Sequence, residues 1–132
     1  MSKIIIASGP VIVENDKVLL TQHGDTDFWK FCGGKVEDSD QRLTATAMRE
    51  AKEEMGFEIE ITNPDPFVMY TLKQIDHGFI DVLLVHYQAK RLGEVNPGAD
   101  IRQWHWFTQE ELTKEELAPN ILPTLKHFGF IK

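Results

Sequence analysis

The sequence predicts a mixed α/β domain, and three observations predict it. Short apolar strand-like runs open the chain, a long uninterrupted helix follows, and strands then return before a closing helical stretch. At 132 residues the chain has the size of one compact domain, and 42% hydrophobic residues suffice for a core. No repeat, linker or low-complexity tract divides it, so residues 1–132 are read as a single domain.

Each element has its own signal. Ile4 to Val13 and Val18 to Thr21 flank the turn-rich Glu14-Asn15-Asp16-Lys17, which predicts a β-hairpin. A polar loop from Gly24 to Asp27 leads into Phe28-Trp29-Lys30-Phe31, an aromatic extended stretch broken by Gly33-Gly34. Asp38-Ser39-Asp40 supplies N-cap residues, Gln41 to Met55 contains neither Gly nor Pro, and Gly56 is a C-cap residue, so a helix is expected there. At about 100° per residue Thr44, Met48, Ala51 and Met55 share the face expected to pack on a sheet.

Phe57 to Ile61 alternates apolar and acidic residues, the period of a half-buried strand. Asn63-Pro64-Asp65-Pro66 is a turn, and Phe67 to Leu72, Phe79 to Ala89 and Gln103 to Phe107 are further strands, with Arg91 to Gly98 a loop. Thr108 with Glu111 three residues on forms a capping box that starts a helix. Pro119 interrupts, and Ile121 to Phe128 is the last helical stretch.

Charge and composition exclude several classes. The net charge is −7, which disfavours non-specific nucleic-acid binding. Acidity is compatible with a phosphate ligand held through divalent cations. The one cysteine, Cys32, forms no intrachain disulfide, and no apolar run suits a signal peptide or a membrane span. A cytoplasmic protein without a membrane or stable nucleic-acid partner is the expectation.

The chemistry is expected between Gly33 and Phe57, GGKVEDSDQRLTATAMREAKEEMGF. Glu50, Glu53 and Glu54 stand at i, i+3 and i+4 and crowd one helix face. Three carboxylates so close repel one another, and a hard divalent cation converts that repulsion into binding. Arg49 beside them is placed to orient a carboxylate. Gly33-Gly34 lets the backbone approach a ligand, where a carbonyl completes a metal shell. Taken alone, the acidic pentapeptide would be an ordinary solvated helix face.

The whole segment resembles the Nudix box of the MutT-like Nudix hydrolases, G-x5-E-x7-R-E-U-x-E-E-x-G-U with U bulky aliphatic. Gly34 matches the first glycine, and Arg49-Glu50-Ala51-Lys52-Glu53-Glu54-Met55-Gly56-Phe57 matches the end. Trp29-Lys30-Phe31-Cys32-Gly33 resembles the family's approach to the box, with Cys32 where proline is common. Asp40 stands where the family has Glu, and one extra residue precedes Arg49, which leaves Asp40 without an assigned role.

That resemblance implies an α/β/α sandwich around a central mixed sheet. It also implies water-driven cleavage of a phosphoanhydride, dependent on Mg²⁺ with Mn²⁺ as a substitute. Glu50, Glu53, Glu54 and the Gly34 carbonyl are the implied metal ligands, Arg49 the orienting cation and Glu53 the base. Lys35 is a phosphate contact or a solvated lysine, and Asp100 is the first candidate for a late-loop acid, ahead of Glu94. Phe31 either packs on a nucleobase or belongs to the core, and Asn120 either bonds a base or caps the last helix. The five histidines show no metal-ligand spacing. Cys32 is expected to be a packing residue.

The substrate reading is a small-molecule nucleotide, a nucleoside triphosphate or a modified one. A nucleoside diphosphate linked to a sugar or another group is the alternative enzyme reading. A non-catalytic nucleotide sensor of the same fold is the alternative outside enzymes. A homodimer is a further expectation from the resemblance.

Overall fold

A computed structural model describes residues 3–24 and 26–132, so Asp25 in the expected loop and Met1-Ser2 lie outside the described residues. The chain runs β1 (Ile4–Glu14), β2 (Lys17–His23), β3 (Gly34–Lys35), α1 (Leu43–Met55), β4 (Glu58–Ile61), β5 (Phe67–Ile75), β6 (Gly78–Leu92), β7 (Ile101–Thr108), α2 (Gln109–Leu112) and α3 (Ile121–His127). The main sheet order is β4-β6-β1-β2-β7, with β3 on β1 and β5 on β6. β1 and β6 run parallel, whereas the other pairings are antiparallel, so the sheet is mixed.

The first hairpin forms as its residues dictate. Val13 pairs with Val18 and Glu14 with Lys17, and Asn15 and Asp16 between them both take positive φ, 52° and 63°. That is the tight turn that matches strand twist and favours Asn and Asp. The capping box at Thr108 and Glu111 is present in full, and Gly56 closes α1 with a left-handed φ of 77°.

Strand alternation sorts the core into two layers. Ile12, Leu19, Val85, Tyr87 and Ala89 pack with Ala47, Ala51 and Met55 of α1. Val11, Val18, Leu20, Phe31 and Phe107 pack on the other side with Leu112, Ile121 and Leu125. The result is the expected α/β/α sandwich.

Three expectations about the helix region are corrected. α1 begins at Leu43, two residues late, with Arg42 at the N-cap and no side-chain cap. Asp40 is drawn away from capping by Arg49. The buried face of α1 is Thr46, Ala47, Ala51 and Met55, while Met48 is 40% exposed and Thr44 half-buried. The face is turned because Glu50 and Glu54 must lie over the Gly33-Gly34 segment. That segment is also more regular than expected, since Gly34 and Lys35 pair antiparallel with Ser8 and Ala7. Among the described residues no helix is long and apolar enough to cross a membrane.

Candidate active site

The site is built where β3, the end of β2 and α1 meet. Glu50 lies against Gly34: a Cβ added there would sit 2.5 Å from the Glu50 Cδ. Glycine at this position is therefore a space requirement that lets a carboxylate reach the backbone. Glu54, one turn on, accepts a hydrogen bond from the Gly33 N–H at 3.0 Å through Oε1, and its Oε2 lies 2.7 Å from Nε2 of His23. Both carboxylates are nearly covered, 12% and 13% exposed, whereas Glu53 is 58% exposed.

Arg49 is the hub. Its Nε and Nη2 donate to the two oxygens of Asp40 at 3.1 and 2.9 Å, a bidentate pair. Nη2 also donates to the Lys35 carbonyl at 2.9 Å, and Nη1 donates to Glu50 at 2.9 Å and Glu53 at 3.2 Å. Asp40 further accepts from the Glu37 N–H and the Thr46 hydroxyl. Asp40 therefore has a role: it fastens the loop after β3 to the helix through Arg49. Its shorter side chain and the extra residue before Arg49 still bring carboxylate to guanidinium.

Electrostatics set the two kinds of carboxylate apart. Hydrogen bonds from Arg49, then from the Glu37 N–H, hold Asp40 well below the usual carboxylate range. The Arg49 guanidinium is pushed up, first by Asp40. Glu50 is raised instead, by burial first and then by the charge of Glu54, in spite of Arg49. Burial disfavours its charged form and the neighbouring carboxylate adds repulsion. Among the described residues no three acidic, histidine or cysteine side chains already surround one point as metal ligands. The donor chemistry nonetheless fits a hard cation: two covered carboxylates, mutually repelling, stand over a glycine segment that offers its backbone.

The remaining expected residues fall in three groups. Lys35 is exposed on β3, and its carbonyl is held by Arg49. Asp100 is exposed in the turn just before β7, where its carbonyl accepts from the Gly24 N–H at 3.2 Å, one residue beyond His23. Glu94 is exposed in a loop that docks on the end of α1, where the Asn96 and Gly98 N–H groups donate to the Met55 and Glu54 carbonyls. Phe31 is buried in the α3-side core, its ring 4.9 Å from that of His86. Asn120 is buried at the N-cap position of α3, and its side chain makes no capping hydrogen bond.

Sequence reasoning missed three residues here. His23 and Glu54 meet across 31 residues, a distance that spacing rules do not reach. His86 is buried, and burial lowers its pKa to about 4, so the ring is neutral near pH 7. The signal was available: His86 follows directly on the apolar run Val82 to Val85 in β6. Lys30 is half-buried, and burial lowers its pKa against the opposing pull of Glu54 and Glu50. Cys32 is buried, and burial followed by Glu54 raises its thiol well above the ordinary value, which fits packing.

The family model described as the NUDIX domain matches residues 5–128. None of the curated protein sequences matches the chain. Among solved structures, the E. coli ORF135 protein is 26% identical over 96% of this chain and 89% of its own, with a TM-score of 0.72. A MutT NUDIX hydrolase from Burkholderia pseudomallei is 19% identical over 95% of this chain and 98% of its own, with a TM-score of 0.76. An ADP-ribose pyrophosphatase from Streptococcus suis is 22% identical over 92% and 87%, with a TM-score of 0.67. The latter two likenesses speak for the fold alone. With the family model spanning nearly the whole chain and the box residues gathered at one site, the chain belongs to the Nudix family, hydrolases of phosphorus-containing acid anhydrides.

Proposed function

We propose that the protein is a Mg²⁺-dependent pyrophosphohydrolase of nucleoside triphosphates or modified nucleoside triphosphates, with Mn²⁺ as a substitute metal. The observation that carries this reading is the pair of covered carboxylates, Glu50 and Glu54, gathered over Gly34 and locked in place by Arg49 and Gly33.

Glu50, Glu54, Glu53 and the Gly34 carbonyl are the residues that would hold the metal. A cation bound there would supply charge neutralisation on the phosphates and a more acidic water. Arg49 fixes Glu50 and the chain around Lys35, whose ammonium reaches for a phosphate oxygen. Glu53, exposed and with one oxygen toward Arg49, takes the proton of the attacking water. Asp100, beside the end of β2, is the late-loop acid. Water adds to phosphorus, the bridging P–O bond breaks, and a nucleoside monophosphate and pyrophosphate leave.

On the α3 side, Asn120 has an amide not spent on capping, which supports a nucleobase subsite, whereas Phe31 is buried in the core against His86. The test is a panel of canonical, oxidised and methylated nucleoside triphosphates together with nucleotide sugars, incubated with Mg²⁺ and resolved by anion exchange. Monophosphate and pyrophosphate from triphosphates are expected. Turnover of nucleotide sugars alone overturns the triphosphate reading, and tight binding without turnover of anything replaces it with a sensor.

A further inference from the structure

His23 is the last residue of β2. Alternation along that strand sends Val18 and Leu20 to the α3 side and Leu19 to the α1 side, so His23 falls on the α1 side with Leu19. The pairing of β2 with β7 slips between Gln22 and His23, a bulge of the kind that re-aims a side chain. The ring then meets the last turn of α1, with Nε2 2.7 Å from Glu54 Oε2. A carboxylate only accepts, so Nε2 donates. The two oxygens of Glu54 are thus held from two sides, Oε1 by the Gly33 N–H and Oε2 by His23.

Only one of the two ring nitrogens of His23 is used. Its other ring nitrogen, Nδ1, is buried and has no hydrogen-bond partner among the described residues. Such a nitrogen costs folding free energy that an apolar side chain of similar size would not. What the ring adds is the donor at Nε2. Glu54 needs one, because the charge of Glu50 pushes against it and Gly33 restrains only one oxygen.

We propose that His23 is a positioning residue: its Nε2–H fixes the Glu54 carboxylate in the orientation in which Glu54 and Glu50 together receive the divalent cation. The inference rests on the reading of Glu54 as a metal ligand, and it extends that reading to a residue outside the box. Groups that orient a metal ligand typically change affinity 10- to 100-fold when removed.

The test measures Mn²⁺ affinity by electron paramagnetic resonance of the free ion, on the full chain without substrate. The variants are His23→Leu, His23→Asn, His23→Gln and Glu54→Gln. The glutamine amide reaches the place of Nε2, and the asparagine amide stops short of it. Glu54→Gln is expected to lose Mn²⁺ binding. His23→Leu and His23→Asn are expected to weaken it about 10- to 100-fold, and His23→Gln to restore most of it. Should the leucine variant not fold, the asparagine variant carries the same comparison. Parent-like Mn²⁺ affinity in His23→Asn, with loss in Glu54→Gln, overturns the role of His23 and leaves Glu54 standing. Parent-like affinity in Glu54→Gln overturns the ligand reading and the inference together. Equal weakening in His23→Gln and His23→Leu overturns the donor role.

Discussion

His86 gives the structure a measurable acid sensitivity. It sits in the middle of β6 between Gly9 of β1 and Phe67 of β5, under the ring of Phe31, and only 6% of it is exposed. Burial lowers its pKa from 6.5 to about 4. The unfolded chain therefore binds this proton more tightly than the folded chain between those values. Stability is full above about pH 6.5 and falls as the pH drops toward 4. At about 1.4 kcal/mol per pH unit the loss reaches about 2 kcal/mol at pH 5 and about 3 kcal/mol at pH 4. His86→Leu removes the titrating group and leaves the other acids and bases in place. Urea unfolding of both proteins at fixed ionic strength, from pH 7.5 to pH 4, isolates the effect as the difference between them. The difference should shift toward the variant by about 3 kcal/mol at pH 4. A difference that stays constant across this range would refute the claim that the ring is buried and neutral.

Two further perturbations test the site's construction. Gly34→Ala places a Cβ 2.5 Å from the Glu50 Cδ; the side chain must move, so divalent-metal affinity by calorimetry should fall while the circular dichroism spectrum stays native. Asp40→Asn removes the charge that Arg49 grips, and the Asp40 pKa lies below its usual range. The parent protein should therefore outlast the variant in thermal melts above the usual carboxylate range, and the gap should close as the pH falls.

Much of this arrangement was legible in the sequence because it is local. The Asn15-Asp16 turn, the Thr108–Glu111 box and the Gly56 cap each depend on residues a few positions apart. The acidic face of α1 and its link to Gly34 were legible for the same reason, being one continuous motif. The phase of α1 was not, because a hydrophobic count favoured Met48 over Thr46, whereas the helix is turned by where Glu50 and Glu54 must lie. Asp40 looked like a cap or a lapse in the motif, and only the bidentate pairing with Arg49 explains it. His23 was invisible as a partner of Glu54 because a strand end and a helix end meet only through the fold.

The proposed hold of Glu50 and Glu54 on a divalent metal over Gly34 is tested most directly by the initial rate of nucleoside triphosphate hydrolysis against MgCl₂ concentration, for the parent protein and for Glu50→Gln. No rate is expected in EDTA, with a saturable rise with Mg²⁺ in the parent and a fall in the variant no smaller than the roughly 10- to 100-fold seen when a ligand's orienting partner is lost. Because burial and Glu54 make ionised Glu50 a strained group, the variant should melt no lower than the parent in EDTA. Metal-independent hydrolysis, or a Glu50→Gln variant as active as the parent, would contradict the proposed hold.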